Sequence, residues 1–174
     1  PRHFPLCFYR GVLYSSSGNA VYKWDDLCQP ERIDTLKVPL SQRMLGRPRL
    51  LERLLRLGLS HFAVAASGAR MAIANRALFF SAAASQPFLP VGKLRAPVRR
   101  PMRFGLETSG ADEFYVAEYF SNPLRRSVRI LRAVGGMPLE PAYTFCAGEI
   151  RHIHLVQKDP FTGRLWIATG DYGP

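Results

Sequence analysis

Two histidines and the acidic residues around them are the side chains of this chain best suited to chemistry. His152 and His154 lie in the segment EIRHIHLVQKDPFTGRLWIATGD, which begins at Glu149 and ends at Asp171. Imidazole gains and loses protons near neutral pH, and a neighbouring carboxylate holds the ring oriented and charged. These residue types could bind a sugar, position a water molecule or share protons.

The middle of this segment predicts a tight turn that folds it into a hairpin. In DPFTG (159–163), aspartate favours the first position of a turn, proline presets φ at the second, and glycine suits the left-handed closing position. A turn centred there places His152 beside Gly170 and His154 beside Ala168. The hairpin thus carries both histidines on one strand.

The same hairpin predicts a rim where charged groups converge. Side chains alternate along a strand, so His152, His154 and Val156 are predicted to share one face. The start of the first strand and the end of the second lie at the same end of a hairpin. The residues predicted to meet there are Glu149, Arg151, His152 and Asp171. Among them, His152, Asp171 and Glu149 are the candidates for a catalytic role.

A purely structural interpretation of these residues stays open. The two histidines would then pack between sheets and hydrogen-bond to the backbone, while Asp171 would cap a turn. Two histidines separated by one residue are a poor metal signature without a third ligand. We predict neither a metal nor a cofactor.

The composition is that of a globular domain with a basic surface. The 174 residues carry a net charge of +11, and 47% of them are hydrophobic. Such a charge attracts polyanions. The basic residues are scattered, however, and they lack the interleaved aromatics of single-strand binders. Nucleic acid is therefore the least favoured partner.

The chain shows no sign of a membrane segment or a secretory signal. No apolar run reaches the roughly 18 residues of a membrane span, and the N-terminus lacks a basic region followed by an apolar one. Cys7, Cys28 and Cys146 form no CxxC pair, and we interpret them as buried free thiols in a reducing compartment. We expect a cytoplasmic protein; with no initiator methionine, its true N-terminus stays open.

The first third of the chain predicts one hairpin, a loop and a helix. Residues 8–24 contain two strand-like runs around Ser17-Gly18-Asn19, whose last two residues tolerate the positive φ of a hairpin turn. Residues 25–39 are polar and predict a loop. Residues 47–58, within a helical insertion at 40–60, predict an amphipathic helix whose leucines pack on the neighbouring sheet. Binding to an anionic membrane surface is the alternative for that helix.

The remainder predicts strands in hairpins. HFAVAA (61–66) and MAIAN (71–75) form one hairpin and ALFFSA (77–82) adds a strand, while the proline-rich segment 85–101 predicts a loop. MRFGLE (102–107) pairs with EFYVAEY (113–119). Two more strands follow, SVRILRA (127–133) and PAYTFCA (141–147).

The hairpins recur at the period of propeller blades. Those beginning near His61, Met102 and His152 are 41 and 50 residues apart, which is typical of four-stranded blades. We therefore predict an all-β fold, a partial β-propeller domain over residues 1–174. Its blade fragments are predicted at about 1–30, 61–100, 102–147 and 149–174. Closing a ring takes at least about four blades, so the remaining ones would come from missing sequence or from assembly.

A family resemblance supports this prediction. HIHLVQKDPFTGRLWIATGD (152–171) resembles the pattern H-I-H-x-hydrophobic-x-x-D-P-x-x-G-x-hydrophobic-W-hydrophobic-x-T-G-D of sialidase-like, BNR-repeat β-propeller proteins. The resemblance extends over residues 102–174. The family's box S-x-D-x-G-x-T-W is absent, since residues 133–138 read AVGGMP. The resemblance therefore reaches the level of the fold superfamily.

The resemblance implies carbohydrate chemistry without naming catalytic residues. True sialidases bring three arginines, a tyrosine–glutamate pair and an acidic residue to the central channel. Glu118-Tyr119 is predicted to lie near the same rim, although adjacent strand residues point to opposite faces, so no catalytic role is carried over. The ligand-binding candidates are Arg151, His152, His154, Glu118 and Tyr119.

We therefore expect a sialidase-like propeller that binds or hydrolyses a carbohydrate, with a role in polysaccharide metabolism as one option. If it is an enzyme, the reaction expected is that of a glycoside hydrolase. A non-enzymatic scaffold for protein interaction is the alternative, since propellers serve both purposes and fold alone cannot decide between them.

Overall fold

Short β-strands that pair with their neighbours in sequence build this fold. The computed structural model describes residues 3–25, 28–46, 50–51, 57–96 and 105–170. Within them, fourteen strands form four antiparallel sheets, of which three have four strands and one has two. Each sheet is a meander, so its strands follow one another in order from one edge to the other.

The strands are bounded as follows. The first sheet consists of β1 (Phe4–Tyr9), β2 (Val12–Ser17), β3 (Ala20–Trp24) and β4 (Glu31–Thr35). The second consists of β5 (Leu59–Val64), β6 (Arg70–Ala74), β7 (Ala77–Ser81) and β8 (Leu89–Lys93). The third consists of β9 (Leu106–Ser109), β10 (Glu113–Ala117), β11 (Val128–Val134) and β12 (Glu140–Phe145). The fourth contains β13 (His152–Lys158) and β14 (Leu165–Gly170).

The first strands of successive sheets lie next to one another. Strand β1 contacts β5, β5 contacts β9, and β9 contacts β13. They also run in the same direction: the Tyr9 hydroxyl, at the end of β1, donates to the Ala65 carbonyl just after β5 at 3.1 Å. The Leu59 N–H, at the start of β5, donates to the Gly18 carbonyl at 3.3 Å. Sheets that share an inner edge and fan outwards are blades, which confirms the partial β-propeller.

The core is divided into layers between consecutive sheets. Strand β6 shows why, because it is buried along its whole length and its side chains alternate between two layers. Met71 and Ile73 pack with the third sheet, whereas Ala72 and Ala74 pack with the first. A third layer lies between the third and fourth sheets and includes Ile153. Apolar contact between neighbouring blades thus holds the fan together.

Two strands lie where the sequence predicted loops. Strand β4 falls inside the predicted loop 25–39, and β8 falls inside the predicted loop 85–101. Both are the outermost strands of their sheets and are largely exposed, so they lack an apolar pattern. An edge strand also tolerates a proline such as Pro90. Those loop predictions are wrong because edge strands resemble loops in composition.

The observed helix differs in position from the predicted helix at 47–58. Helix α1 spans Leu40–Leu45, upstream of the predicted start. Residues 50–51 are helical, Leu57 and Gly58 are not, and residues 47–49 and 52–56 lie outside the described part. Leu50 is exposed, while Leu57 is buried. The predicted packing of the leucine face therefore holds for Leu57 and is wrong for Leu50.

The cysteines are free, as predicted, but they differ in burial. Cys7 is half-buried beside the layer between the first two sheets, whereas Cys28 and Cys146 are exposed. The prediction of buried thiols is therefore wrong for these two. Burial raises the pKa of the Cys7 thiol to about 12, which keeps it protonated and unreactive.

Among the described residues, none of the helical segments is long and apolar enough to cross a membrane.

Candidate functional site

Three aromatic rings from two sheets meet where β13 begins. The ring of Tyr119, which follows the end of β10, lies edge-on to His152 with centroids 4.7 Å apart and lies 5.7 Å from His154. The two imidazoles are nearly perpendicular, with Nε2 atoms 3.1 Å apart. That contact is a hydrogen bond when one Nε2 carries a proton and the other accepts it. We call Tyr119, His152 and His154 the ring cluster.

A β-bulge in β13 sets the directions of these side chains. The register shifts after Ile153, so that Leu155 and not His154 pairs with Ala168. A bulge breaks the alternation of side chains locally. Val156 is consequently buried with Ile153 in the layer below, away from the exposed His154. The predicted partner of His154 and the predicted face of Val156 are both wrong for this reason.

Gly170 makes room for one imidazole. It lies opposite His152, which confirms that part of the predicted register. A Cβ atom added to Gly170 would overlap the Nε2 atom of His154. The absence of a side chain at this position therefore lets the imidazole of His154 fold across the end of β14.

A shallow pocket of about 150 Å³ opens beside the ring cluster. Its walls are the loop after β10 and the first residues around β13. The lining residues are Tyr119, Phe120, Ser121, Asn122, Pro123, Arg151 and His152. The pocket thus combines aromatic surface with a hydroxyl, a guanidinium and an imidazole, which is a composition typical of small-molecule sites.

The wall of this pocket is held in place by the buried side chain of Asn122. Its Nδ2 donates to the carbonyls of Arg126 at 2.7 Å and of Arg151 at 2.9 Å. Its Oδ1 accepts from the Arg126 N–H at 2.8 Å. One amide therefore closes the loop after β10 on itself and ties it to the next sheet. These bonds satisfy the polar atoms of the buried Asn122 side chain, which would otherwise lack partners.

Glu118 points away from the ring cluster that its neighbour Tyr119 joins. Its carboxylate is 1% exposed and accepts from Arg129 through Nε at 3.1 Å and Nη2 at 2.7 Å. Arg95 from the second sheet approaches to 3.6 Å. The bond to Glu118 raises the pKa of the Arg129 guanidinium. The opposite orientation of these adjacent residues agrees with strand alternation, and the contacts of Glu118 join two sheets.

The other predicted rim residues are Glu149, Arg151 and Asp171. Glu149 is exposed, and its Oε2 accepts from the Cys146 N–H at 2.5 Å, which closes the turn before β13. Arg151 lines the pocket. Asp171 lies outside the described residues. Of the seven predicted site residues, Tyr119, Arg151, His152 and His154 come together at the rim, whereas Glu118 and Glu149 are engaged elsewhere.

Sequence reasoning missed five residues of this site, which are Phe120, Ser121, Asn122, Pro123 and Gly170. The first four come from a segment without periodicity, and only Asn122-Pro123 indicates a turn. The predicted register included Gly170 but gave it no role, because its proximity to His154 depends on the bulge. The role of Asn122 depends on its contact with Arg151 at the start of the next sheet.

The arrangement suits hydrogen bonding to a polar ligand. Imidazole nitrogens and a hydroxyl donate and accept, while the guanidinium donates only. Among the described residues, no group of three His, Cys, Asp or Glu side chains is arranged to hold a metal ion.

The fold and this rim define a chain of the β-propeller class. A solved structure of luciferin-regenerating enzyme is similar to it, with a TM-score of 0.52 at 16% sequence identity. The match covers 96% of this chain and 54% of that enzyme, so the chain spans about half of its length. At this identity the likeness shows the fold alone.

No protein-family model matches the chain, and no curated protein matches it. The resemblance to sialidase-like proteins is therefore confirmed only as far as the propeller-like fold. The BNR-repeat assignment stays a prediction.

Proposed function

We propose that the ring cluster and its pocket bind a carbohydrate. The observation that carries this proposal is the convergence of Tyr119, His152 and His154 beside a pocket whose polar groups both donate and accept. A sugar presents hydroxyls, which need such mixed partners, and apolar C–H faces, which need flat aromatic surface. The resemblance of residues 152–171 to sialidase-like propellers points to the same ligand class.

The size of the pocket limits the ligand to a single ring or the end of a chain. Its volume of about 150 Å³ is below the roughly 300–1,000 Å³ of sites that enclose a drug-sized ligand. Because Ser121 and Arg151 lie on its lining, the bound unit would be polar or acidic. A longer glycan would extend outward over the exposed His154.

Binding is better supported than hydrolysis. Glycoside hydrolysis ordinarily needs two carboxylates that flank the scissile bond. The two carboxylates described near this rim are both engaged, Glu118 by Arg129 and Glu149 by the Cys146 N–H. The described rim therefore offers a place for a sugar and no free acid–base pair. Hydrolysis would require measured turnover of a glycoside by the full chain.

The test is calorimetric titration of the full chain with a panel of neutral and acidic monosaccharides. We expect at least one sugar to bind, and His152→Ala to weaken its binding by about tenfold, since lost hydrogen bonds to a bound ligand cost about 0.5–1.5 kcal/mol each and the ring contact is lost as well. Aryl glycosides assayed in parallel detect hydrolysis.

Tyr143→Ala supplies the matched control for Tyr119→Ala. Tyr143 is an exposed tyrosine on β12 that pairs with Phe145 outside the pocket. Sugar binding should survive its removal and not that of Tyr119. Absence of binding by every sugar, or equal affinity in both tyrosine variants and in His152→Ala, would overturn the proposal.

A non-enzymatic scaffold is the second candidate, and exposed apolar side chains favour it. Trp166 and Ile167 on β14 and Phe161 at the turn before it are all exposed. Exposed aromatic residues are enriched where proteins bind one another. A stable partner captured by the full chain and lost with Trp166→Ser, together with no sugar binding, would favour this alternative.

A further inference from the structure

A second and larger pocket lies at the rim between the first and second sheets. It has a volume of about 560 Å³ and is lined on one side by the β2–β3 turn. The other walls are the chain leaving β4, the end of α1 and the residues before β5. Its charged and larger apolar lining residues are Arg32, Leu36, Lys37, Val38 and Leu57. We call this cavity the Lys37 pocket.

Hydrogen bonds fix the walls of the Lys37 pocket. The Leu36 N–H donates to the Asn19 carbonyl at 2.9 Å, and the Leu59 N–H donates to the Gly18 carbonyl at 3.3 Å. The Gln42 side chain donates to the Leu57 carbonyl at 2.8 Å, which fastens α1 to the segment leading into β5. These bonds therefore join three separate segments around the cavity.

Two cations, Arg32 and Lys37, line the pocket. In the described part of the chain, neither Arg32 nor Lys37 forms an ion pair, whereas nearby Lys23 bridges Asp25 and Glu31 at 3.1 and 2.9 Å. Charges of one sign at a concave surface attract a ligand of the opposite sign. The pocket thus has an excess of positive charge at its edge.

The rest of the lining consists of small turn residues and apolar side chains. The Oδ1 atom of Asn19 has no partner among the described residues, but it is buried behind the lining, where a ligand in the cavity does not touch it. Apolar surface from Leu36, Val38 and Leu57 completes the lining.

We propose that the Lys37 pocket binds a small organic carboxylate that has an apolar body. The carboxylate lies at Arg32 and Lys37, and the apolar body lies against the leucine and valine side chains. The volume fits such a molecule, since ligand sites of this kind span about 300–1,000 Å³. This site is separate from the ring cluster and does not depend on sugar binding.

Two matched probes test the charge of the proposed ligand. 4-Hydroxyphenylacetate carries the charge and the ring, whereas tyrosol carries the ring and lacks the charge. In calorimetric titration of the full chain we expect 4-hydroxyphenylacetate to bind about tenfold more tightly than tyrosol. The affinity should fall with added salt, because the charges at the edge are screened. 4-Hydroxybenzylphosphonate shows whether a phosphoryl head is preferred to a carboxylate.

Charge-removing variants locate the site. Lys37→Gln and Arg32→Gln should each weaken the binding of 4-hydroxyphenylacetate at least about fivefold. The control Lys93→Gln removes an exposed lysine of β8, which does not line the pocket, and should leave affinity unchanged.

Three outcomes would overturn the proposal. One is the absence of binding by every probe at millimolar concentration. Another is equal binding of tyrosol and 4-hydroxyphenylacetate, since charge would then play no part. The third is the same loss in Lys93→Gln as in Lys37→Gln, which would show a general effect of net charge. Unchanged binding in His152→Ala would confirm that the two sites are independent.

Discussion

The rim at the ring cluster and the rim at the Lys37 pocket are formed by the same strand connections, but different side chains occupy them. In each, the connection between the second and third strands of one sheet faces the segment that enters the next sheet. Between the third and fourth sheets, the ring cluster occupies this space and leaves about 150 Å³. Between the first and second sheets, small turn residues line a cavity of about 560 Å³.

The difference lies in the connections and their side chains. The β2–β3 turn is short, and its Gly18, with φ of +61°, reverses the chain without filling the rim. The corresponding connection after β10 is longer, and Tyr119 projects from it onto His152. The propeller plan therefore determines where pockets form, and the loops determine what they bind.

The largest effect expected is on the layer beneath the ring cluster. Ile153 is 0% exposed, so Ile153→Ala should lower the free energy of unfolding by about 2–5 kcal/mol through lost burial and a residual cavity. Ile167→Ala is the matched control, because that side chain is 39% exposed and should cost much less. Chemical denaturation measures both. Equal losses of unfolding free energy in the two variants would contradict the burial of Ile153 between the third and fourth sheets.

The two rim asparagines provide the sharpest contrast between the pockets. Asn122 makes three hydrogen bonds, so Asn122→Ala should destabilise the chain by about 1–3 kcal/mol because backbone groups lose their partners. Asn19 has an Oδ1 atom without a partner among the described residues, and Asn19→Ala should change stability by less than about 1 kcal/mol. Thermal unfolding of the two variants side by side tests the comparison; a larger loss at Asn19 would contradict it.

A single methyl group should disturb the ring cluster with little effect on the fold. Gly170→Ala forces the imidazole of His154 to move, because its Nε2 occupies the place of the new Cβ. The histidine can rotate outward, so we expect a loss in stability below about 1 kcal/mol and a loss of the 3.1 Å contact with His152. Imidazole NMR shifts report that contact. Ala168→Ser on the same strand is the control and should leave the shifts in place.

The smallest effect expected is at the turn that joins β13 to β14. Hydrogen bonds from the Thr162 hydroxyl and the Phe161 N–H lower the pKa of Asp159 from its ordinary 3.8. A lowered pKa in the folded state means that the contribution of this group to stability is present above about pH 3.8 and is lost as the pH falls through the folded value. We expect NMR shifts of the turn to change in that acidic range, and Asp159→Asn to remove the change. If neither the fall in pH nor Asp159→Asn changes the NMR shifts of the turn, the prediction that the Asp159 carboxylate stabilises this turn is wrong.

Several of the strands that the sequence predicted correctly have a buried face, although β12 and β14 were also predicted and are largely exposed. HFAVAA and MAIAN, for example, became β5 and β6, whose apolar side chains face neighbouring sheets. The turns at Gly18 and Gly163 were also correct, since φ is positive at both. Strands β4 and β8 were missed because an edge strand buries too little to impose an apolar pattern.

The sequence alone determined the meander of hairpins, its blade-like period and the pairing of His152 with Gly170, because these follow from local turn chemistry and from side chains that must be buried. Tertiary structure alone decided that Tyr119 joins the histidines while Glu118 turns to Arg129, and that a cavity opens at the other rim. The ring cluster and the cavity join residues from different sheets, and their geometry depends on a one-residue bulge and on loop packing. A local sequence pattern carries no information about either.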